Sequence, residues 1–199
     1  MPATSNTQLT PENSAIVLVD HQPGVVGWVK SLPAEQLAAN AAILARLGEE
    51  LPIPLLISST REDEGFLGTT IEELQHAAPV AYEKRIKRGG SLDAFIDPAF
   101  VEAVKAMDRP NLIIAGVTTD VCLANTCISA LEAGYSVHAV ADASGCTSVL
   151  GDTVTYDRLR ERGVIVGTTM GFWSELYPDL SKPEGQRAEA AVQGRLAPA

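Results

Sequence analysis

The chain has 199 residues and a mass of 21.0 kDa, and 46% of the residues are hydrophobic, which predicts one α/β domain with a sizeable core. A formal net charge of −10 with scattered basic residues argues against nucleic acid and anionic membranes as partners. No apolar run approaches the roughly 20 residues that span a bilayer, the N-terminal stretch lacks a signal-peptide pattern, and three cysteines make no disulfide framework, so a cytoplasmic protein is predicted.

Two buried strands are predicted in the first third of the chain. Ala15 to Val19 and Pro54 to Ser58 are continuous, largely apolar runs, which are typical of strands covered on both faces. The first run ends at Asp20 and is followed by a predicted turn, His21-Gln22-Pro23-Gly24. A helix is expected between the two strands, from about residue 31 to residue 50, because a proline suits its first turn.

The segment after the second strand is predicted to be less regular. Ser59 to Gly68 is a long polar loop, and loops after strand ends often form substrate lids. A short helix is expected from Ile71 to Ala77, followed by a short extended segment from Ala81 to Ile86 and the basic pair Lys87-Arg88. Asp97-Pro98 then begins another helix, which continues to about residue 107.

A strand, a turn, a helix and a second strand are predicted from Asn111 to Asp142. An apolar run ends at Gly116, and the polar turn of residues 117–120 follows it. Cys122 lies near the start of the helix, and residues 137–141 form the next strand. This βαβ unit places a thiol at a helix N-terminus.

The chain is completed by a helix from Gly151 to Arg162 and a strand from Val164 to Gly167. Because no internal repeat or linker marks a boundary, a single domain is predicted over residues 1–199. Its ordered core covers about residues 14–180, after a polar lead-in. The Ala-, Gln- and Glu-rich tail of residues 181–199 is compatible with a loosely held helix or with an arm onto a neighbouring subunit.

The alternation of strands and helices predicts a three-layer αβα fold, with a mostly parallel sheet of about six strands and helices on both faces. Ligands of such sheets bind beyond the carboxyl ends of the strands, where the strand order reverses. The residues just past each strand are therefore the candidates for the site: Asp20, Gln22, Thr60, residues 84–88, residues 118–122, Asp142 and residues 168–169. Neither a dinucleotide fingerprint nor a P-loop occurs, which argues against a nucleotide.

Cys122 has two interpretations. A buried free cysteine usually packs as a small hydrophobe. In the first turn of a helix, however, the N–H groups and the helix dipole favour a thiolate and can hold an oxyanion. Cys127 lies further into the helix and is expected to pack, and Cys146 lies in a loop.

A thiol nucleophile needs a base, for which Asp20 and three histidines are available. His138 is expected toward the wrong end of the sheet, His76 near a surface helix end, and His21 on the side opposite to Asp20. Asp20, at the end of an apolar strand, is the stronger candidate, although an Asp there can also cap a turn. Nearby positive charge, needed to set both pKa values, is offered by residues 83–88.

Together, these residues resemble the isochorismatase-like cysteine hydrolase family, and within it the YcaC-type hydrolases. The resemblance rests on Asp20 at the end of AIVLVD, the VDHQPG opening, Arg88 before SLDAF, and the segment IIAGVTTDVCLANTCISALEAGYSVHAVADASG. It covers roughly residues 15–173. The combination of the upstream Asp20 with the GVTTDVC core is a more specific signal than either feature alone.

The resemblance implies a role for each residue of a catalytic triad. Cys122 would be the nucleophile, Asp20 its general base, and Arg88 the basic member, with Lys87 and Lys84 as the alternatives. An Arg orients and stabilises charge but does not relay protons. The family's non-proline cis bond would fall at Val117-Thr118, and the Thr118 and Cys122 N–H groups would form the oxyanion hole.

One departure from the wider family concerns metal binding. Nicotinamidases, which belong to the wider family that this chain resembles, hold a metal through an Asp and histidines in the loop after the second strand. Here that loop is STREDEGFLG, which has no histidine, so neither a metal nor another cofactor is expected. The acidic residues 62–64 are expected to form a solvated loop.

These interpretations predict a metal-independent cysteine hydrolase that cleaves a C–N bond, an amide, of a small molecule through an acyl-enzyme. The alternatives are an isochorismatase-type vinyl-ether hydrolase and a thiol-based redox-sensing or binding module. The resemblance also implies a homo-oligomer, a tetramer or an octamer. Five side chains from loops after strand ends are predicted to line the substrate pocket: Gln22, Trp28, Phe66, Thr119 and Trp173.

Overall fold

Six parallel strands form one sheet in the computed structural model, which describes residues 8–196; the start of the lead-in and the last three residues of the tail lie outside the described residues. The strands are β1 Ser14–Val19, β2 Leu55–Thr60, β3 Ile86–Arg88, β4 Asn111–Gly116, β5 Ser136–Val140 and β6 Ile165–Gly167. Their order in the sheet is β3-β2-β1-β4-β5-β6. The chain builds outward from β1 to β3 and then from β4 to β6, so the order reverses between the neighbours β1 and β4.

Helices cover both faces of this sheet, which confirms the predicted three-layer α/β fold. They are α1 Pro23–Val26, α2 Ala34–Glu50, α3 Glu72–Ala77, α4 Pro79–Glu83, α5 Pro98–Ala106, α6 Ala124–Glu132, α7 Val149–Glu161, α8 Thr169–Leu176 and α9 Pro183–Leu196. Within residues 8–196, none is both long and apolar enough to cross a membrane.

The alternation of side chains along β1 shows how the two hydrophobic layers are built. Ile16 and Leu18 pack into the layer that contains α2, α8 and α9, whereas Val17 and Val19 pack into the layer that contains α5, α6 and α7. All six residues of β1 are buried. Since full burial of one such aliphatic side chain contributes about 1.5–3 kcal/mol, β1 is a main anchor of the fold.

The C-terminal tail forms α9 and packs on α2 of the same chain. Ala188 and Val192 are fully buried in this contact. Arg46 Nε of α2 donates a hydrogen bond to Ala191 O at 2.9 Å, and Trp173 Nε1 of α8 donates one to Ala188 O at 3.1 Å. The tail therefore closes one of the two hydrophobic layers.

The extended segment predicted from Ala81 to Ile86 is wrong. Residues 79–83 form α4, and β3 begins only at Ile86. Pro79 occupies the first position of α4, where its missing N–H breaks no helical hydrogen bond. Arg85 Cζ lies 4.1 Å from the centroid of the Tyr82 ring, a cation–π contact that folds this stretch back on itself.

A second correction concerns the predicted turn at residues 21–24. Its last two residues already belong to α1, because Pro23 takes the first helical position and its fixed φ favours helical geometry. The chain thus turns away from the sheet within three residues of β1.

Candidate active site

Asp20 and Arg88 form a buried ion pair at the carboxyl edge of the sheet. Asp20 follows β1 directly, and Arg88 is the last residue of β3, two strands away. Arg88 Nη2 donates a hydrogen bond to Asp20 Oδ1, and neither side chain is exposed to solvent. Arg88 Nη1 donates to Ser91 O at 2.6 Å, which fixes the plane of the guanidinium.

Of the three predicted basic residues, Arg88 is the one whose side chain contacts Asp20. Lys87 points to the other face of β3, where its Nζ lies 3.3 Å from Glu62 Oε2, and Lys84 is exposed at the end of α4. Successive residues of a strand face opposite sides, so Arg88 and Lys87 cannot both reach the same site.

Cys122 lies beside this ion pair, on a single π-helical turn, Thr119–Leu123, that leads into α6. The residue is only 6% exposed. Burial raises the pKa of its thiol, and the charge and hydrogen bond of Asp20 raise it further; Arg88 and the Thr118 backbone N–H act in the opposite direction. The thiol is therefore protonated at neutral pH.

The pKa of the Asp20 carboxyl group is raised as well. Desolvation raises its pKa above the usual 3.8, whereas Arg88 and the hydrogen bond with Cys122 lower it. The Arg88 Nε is buried without a hydrogen-bond partner among the described residues. A protonated thiol thus faces a carboxylate whose basicity is raised, which is the arrangement that general-base catalysis needs.

The turn between β4 and Cys122 contains a cis peptide bond between Val117 and Thr118, as the family resemblance implies. On one side of this bond, Val117 N donates to Val19 O at 3.1 Å. On the other, Thr119 N donates to Gly145 O at 3.0 Å. The Thr118 hydroxyl donates to Asp120 Oδ1 at 2.8 Å.

The two buried histidines have partners outside the Asp20, Arg88 and Cys122 cluster. His21 Nε2 donates to Ala143 O at 2.8 Å, and the His138 ring packs edge-to-face on Phe172 with 5.6 Å between centroids. Desolvation lowers the pKa of each to about 4, so both are neutral at pH 7. His76 is exposed on α3.

Three of the five side chains predicted to line the pocket are committed to other contacts. Gln22 is fully buried: its Nε2 donates to Thr60 O at 3.0 Å and Gly68 O at 2.6 Å, and its Oε1 accepts from Thr60 N at 2.8 Å. Gln22 therefore braces the loop after β2, because its amide satisfies the backbone groups there. Thr119 is also buried, with its Oγ1 3.5 Å from the Tyr156 hydroxyl.

The third, Trp173, lies in the hydrophobic layer on the opposite face of the sheet from Cys122, where α9 holds its indole. The prediction followed from its position after the last strand, but α8 turns this side chain inward. Trp28 and Phe66 are 53% and 58% exposed, and their pocket role stays a prediction.

The loop after β2 is pinned by a carboxylate that sequence reasoning missed. Glu62 accepts hydrogen bonds from Arg85 Nε at 2.7 Å and Nη2 at 2.9 Å, and only 4% of its side chain is exposed. Arg61 N donates to Arg88 O at 2.9 Å, so the same loop also continues the pairing of β2 with β3. These bonds tie the loop to Arg85 and to β3, and the acidic run REDE near the basic run KRIKR was the available signal for them. The role of the loop as a lid stays a prediction.

Two of the three acidic residues of this loop have basic partners, since Glu62 pairs with Arg85 and Lys87, and Glu64 with Arg61. Within residues 8–196, no group of three or more His, Cys, Asp or Glu side chains is arranged so that it could hold a metal ion.

The doubly wound sheet, with a cysteine, a carboxylate and an arginine at its switch point, defines an isochorismatase-like hydrolase. The chain belongs to this family, because the Isochorismatase domain model matches residues 14–170. It is 34% identical to "Probable hydrolase YcaC" of Escherichia coli strain K12 over 172 residues, which are 86% of this chain and 81% of that protein. The family recognised from the sequence is thus confirmed.

Two solved structures of YcaC proteins share the fold. YcaC from Pseudomonas aeruginosa with hexane-2,5-diol and covalent acrylamide has a TM-score of 0.88 and 32% identity, with 96% of this chain and 93% of that chain covered. The E. coli YcaC gene product, called an octameric hydrolase of unknown specificity, has a TM-score of 0.87 and 31% identity, with 96% and 91% covered.

Proposed function

We propose that this protein is a cysteine hydrolase that cleaves the C–N bond of a small amide through a covalent acyl-enzyme at Cys122. The observation that carries the proposal is the buried contact of the Cys122 thiol with the Asp20–Arg88 pair. A thiol whose pKa is raised is a poor nucleophile by itself and needs a base at the moment of attack. Asp20 lies against the thiol and has a raised pKa, so it suits that task.

In the acylation half-reaction, Cys122 Sγ bonds to the amide carbon while the thiol proton passes to the Asp20 carboxylate. The proton then moves from Asp20 to the amide nitrogen, the C–N bond breaks, and the amine leaves. In the second half, water attacks the thioester and gives its proton to Asp20; the S–C bond breaks, the acid leaves, and the proton returns to sulfur.

Arg88 stabilises charge during these steps but does not carry the proton. Its guanidinium is already hydrogen-bonded to Asp20 and Ser91, and it orients the carboxylate there. The Thr118 and Cys122 backbone N–H groups are proposed to hold the oxyanion. The Thr118 N–H lowers the pKa of the Cys122 thiol, and this stabilisation of negative charge on sulfur supports the role.

The P. aeruginosa relative adds support for a reactive nucleophile. Its structure contains covalent acrylamide, and acrylamide is an amide-bearing electrophile that adds to nucleophilic groups such as thiolates. We infer that Cys122 takes up acrylamide in the same way in this chain.

The test is turnover of a panel of small aliphatic and aromatic amides, followed by amine release and by intact-mass detection of an acyl adduct. Cys122→Ala should abolish the adduct and turnover, and Asp20→Asn should lower kcat by roughly 10²–10⁴-fold, as is typical for loss of a general base. Cys127→Ala, which changes a buried cysteine of α6, is the matched control and should keep both. Full turnover by Cys122→Ala would refute the mechanism.

The two alternative functions give different results in the same experiments. A vinyl-ether hydrolase would keep its rate in Cys122→Ala, since that reaction need not use the thiol as nucleophile. A redox-sensing thiol needs a lowered pKa, and the raised pKa of Cys122 argues against that alternative.

We also propose that the protein works as a cytoplasmic homo-oligomer. The E. coli YcaC gene product is called octameric, and this chain covers most of it. Light scattering coupled to size exclusion should report a tetramer or an octamer, and a monomer would refute the assembly.

A further inference from the structure

The segment Ala141–Gly145, which follows β5, braces the turn that carries the nucleophile. β4 and β5 pair up to Ile114 and Ala139, and β5 then leaves the sheet in a short 3₁₀ turn. The next ladder partner of β4 is therefore missing at Gly116. A buried backbone N–H at this position needs another acceptor.

The Ser144 side chain provides this acceptor. Its Oγ accepts a hydrogen bond from Gly116 N at 3.0 Å and donates one to Val140 O at 2.8 Å, and the residue is fully buried. The hydroxyl thus replaces a strand carbonyl at the point where the β5 backbone has turned away. Both of its bonds are internal, which fixes its position.

Pairing resumes one residue later, at Gly145. Val117 and Gly145 form an isolated parallel bridge, and Gly145 O accepts from Thr119 N. The backbone N–H groups on both sides of Thr118 therefore have acceptors in the protein: Ser144 Oγ for Gly116, Val19 O for Val117 and Gly145 O for Thr119. The Thr118 N–H is not among these bonds, and it acts on the Cys122 thiol, whose pKa it lowers.

We propose that Ser144 is a positioning residue of the oxyanion hole: its hydrogen bond to Gly116 N–H fixes the turn so that Thr118 N–H points at the reacting carbonyl. The inference rests on the acyl-enzyme mechanism proposed above and deepens it. Ser144 does not contact the substrate and acts through the backbone of the turn. Its loss should impair steps that place charge on a carbonyl oxygen more than steps that do not.

Two reagents that react with the same thiol separate these steps. With 4-nitrophenyl acetate, Cys122 Sγ bonds to the acyl carbon, the thiol proton passes to Asp20, and the C–O bond to 4-nitrophenolate breaks after an oxyanion has formed. With iodoacetamide, Sγ bonds to a saturated carbon, the C–I bond breaks and iodide leaves. The thiol proton again passes to Asp20, and no oxyanion forms. Both adducts are followed at Cys122 by intact mass, and Cys122→Ala identifies reaction elsewhere.

Ser144→Ala should lower the acylation rate roughly 10- to 100-fold, because small displacements of a catalytic group have effects of this size. The alkylation rate should stay within about 2-fold of the unsubstituted protein. Ser136→Ala, at the opposite end of β5, is the matched control and should change neither rate. If circular dichroism shows that Ser144→Ala does not fold, Ser144→Cys, which keeps the volume and weakens the bond to Gly116, is measured in the same way.

Equal acylation rates in a folded Ser144 variant and the unsubstituted protein would overturn the assignment, and so would a parallel loss of acylation and alkylation, which indicates that Ser144 acts on the thiol. Absence of any Cys122 acylation in the unsubstituted protein would refute the proposed function itself. The two failures are thus distinguishable.

Discussion

Protonation of His21 should destabilise the fold in a measurable pH window. Its ring is 2% exposed, and desolvation lowers its pKa from 6.5 to about 4. Between these values the unfolded state binds more protons than the folded state, so stability falls as the pH falls. The shift of about 2.5 units corresponds to about 3.4 kcal/mol in total, of which about 1.8 kcal/mol is lost between pH 7 and pH 5.

The substitution His21→Gln tests this magnitude. Gln has an Nε2 donor that can replace the bond to Ala143 O, but it does not titrate in this range. Urea denaturation followed by far-UV circular dichroism, at one protein concentration and at both pH values, measures the loss of unfolding free energy on acidification. We expect this loss to be about 1.8 kcal/mol smaller in the variant.

The exposed His76 offers the matched control for the removal of an imidazole. His76→Gln replaces an exposed side chain and should leave the urea midpoint at pH 7 close to that of the unsubstituted protein. If His21→Gln loses as much stability between the two pH values as the unsubstituted protein, then burial of His21 does not contribute to acid sensitivity and the reasoning is refuted.

Three further predictions concern the loop after β2, the segment Ala141–Gly145 and the proposed general base Asp20. Glu62→Gln should lower the unfolding free energy by roughly 2–4 kcal/mol, because it leaves two basic side chains around a neutral amide. Glu64→Gln, at the exposed pair with Arg61, should lower it less. Equal urea midpoints of the two variants would contradict this. Gly145→Ala should lower the free energy of unfolding by roughly 1–3 kcal/mol, since its Cβ would lie 2.6 Å from two aliphatic side chains. Gly89→Ala, whose Cβ meets nothing within 4 Å, should change it by less than about 0.5 kcal/mol in thermal or urea unfolding. The opposite ranking would show that the segment around Gly145 has room for a methyl group. On the acid side, kcat/KM should fall as the pH drops through the raised pKa of Asp20, at a pH above the ordinary value of 3.8; an acid limb at or below that value would contradict the tuning.

The sheet and the positions of Asp20 and Cys122 were predictable because they depend on strong, local patterns. The buried strands are apolar runs that end sharply at a polar residue, and parallel strands place those ends at one edge. Arg88 could not be separated from Lys87 and Lys84 in the sequence, because the choice depends on the register of β3. That strand has three residues, and the short helix α4 ends just before it, so the first residue of the strand could not be located from the sequence.

The side-chain directions of the pocket candidates were less predictable. Gln22 and Thr119 follow strand ends, as substrate-binding residues do, but the Gln22 amide pairs with backbone groups of the loop after β2 and the Thr119 hydroxyl lies against Tyr156 of α7. The direction of Trp173 depends on α9, the next helix, whose packing on α2 the sequence did not reveal. The role of Ser144 depends on where β5 leaves the sheet, and no spacing in the sequence reveals that point.

The Asp20–Arg88 bond reaches across the sheet edge from β1 to β3, and this gives the pair a second consequence. Within residues 8–196, β3 is an edge strand that pairs with β2 over three residues, so it belongs to the part of the sheet that opens most easily by local unfolding. Each opening would separate the carboxylate from its buried counter-ion, so the pair opposes fraying of the edge. In the proposed mechanism, activity therefore requires a closed sheet edge, and during gradual denaturation it should disappear while the central strands are still protected from hydrogen exchange.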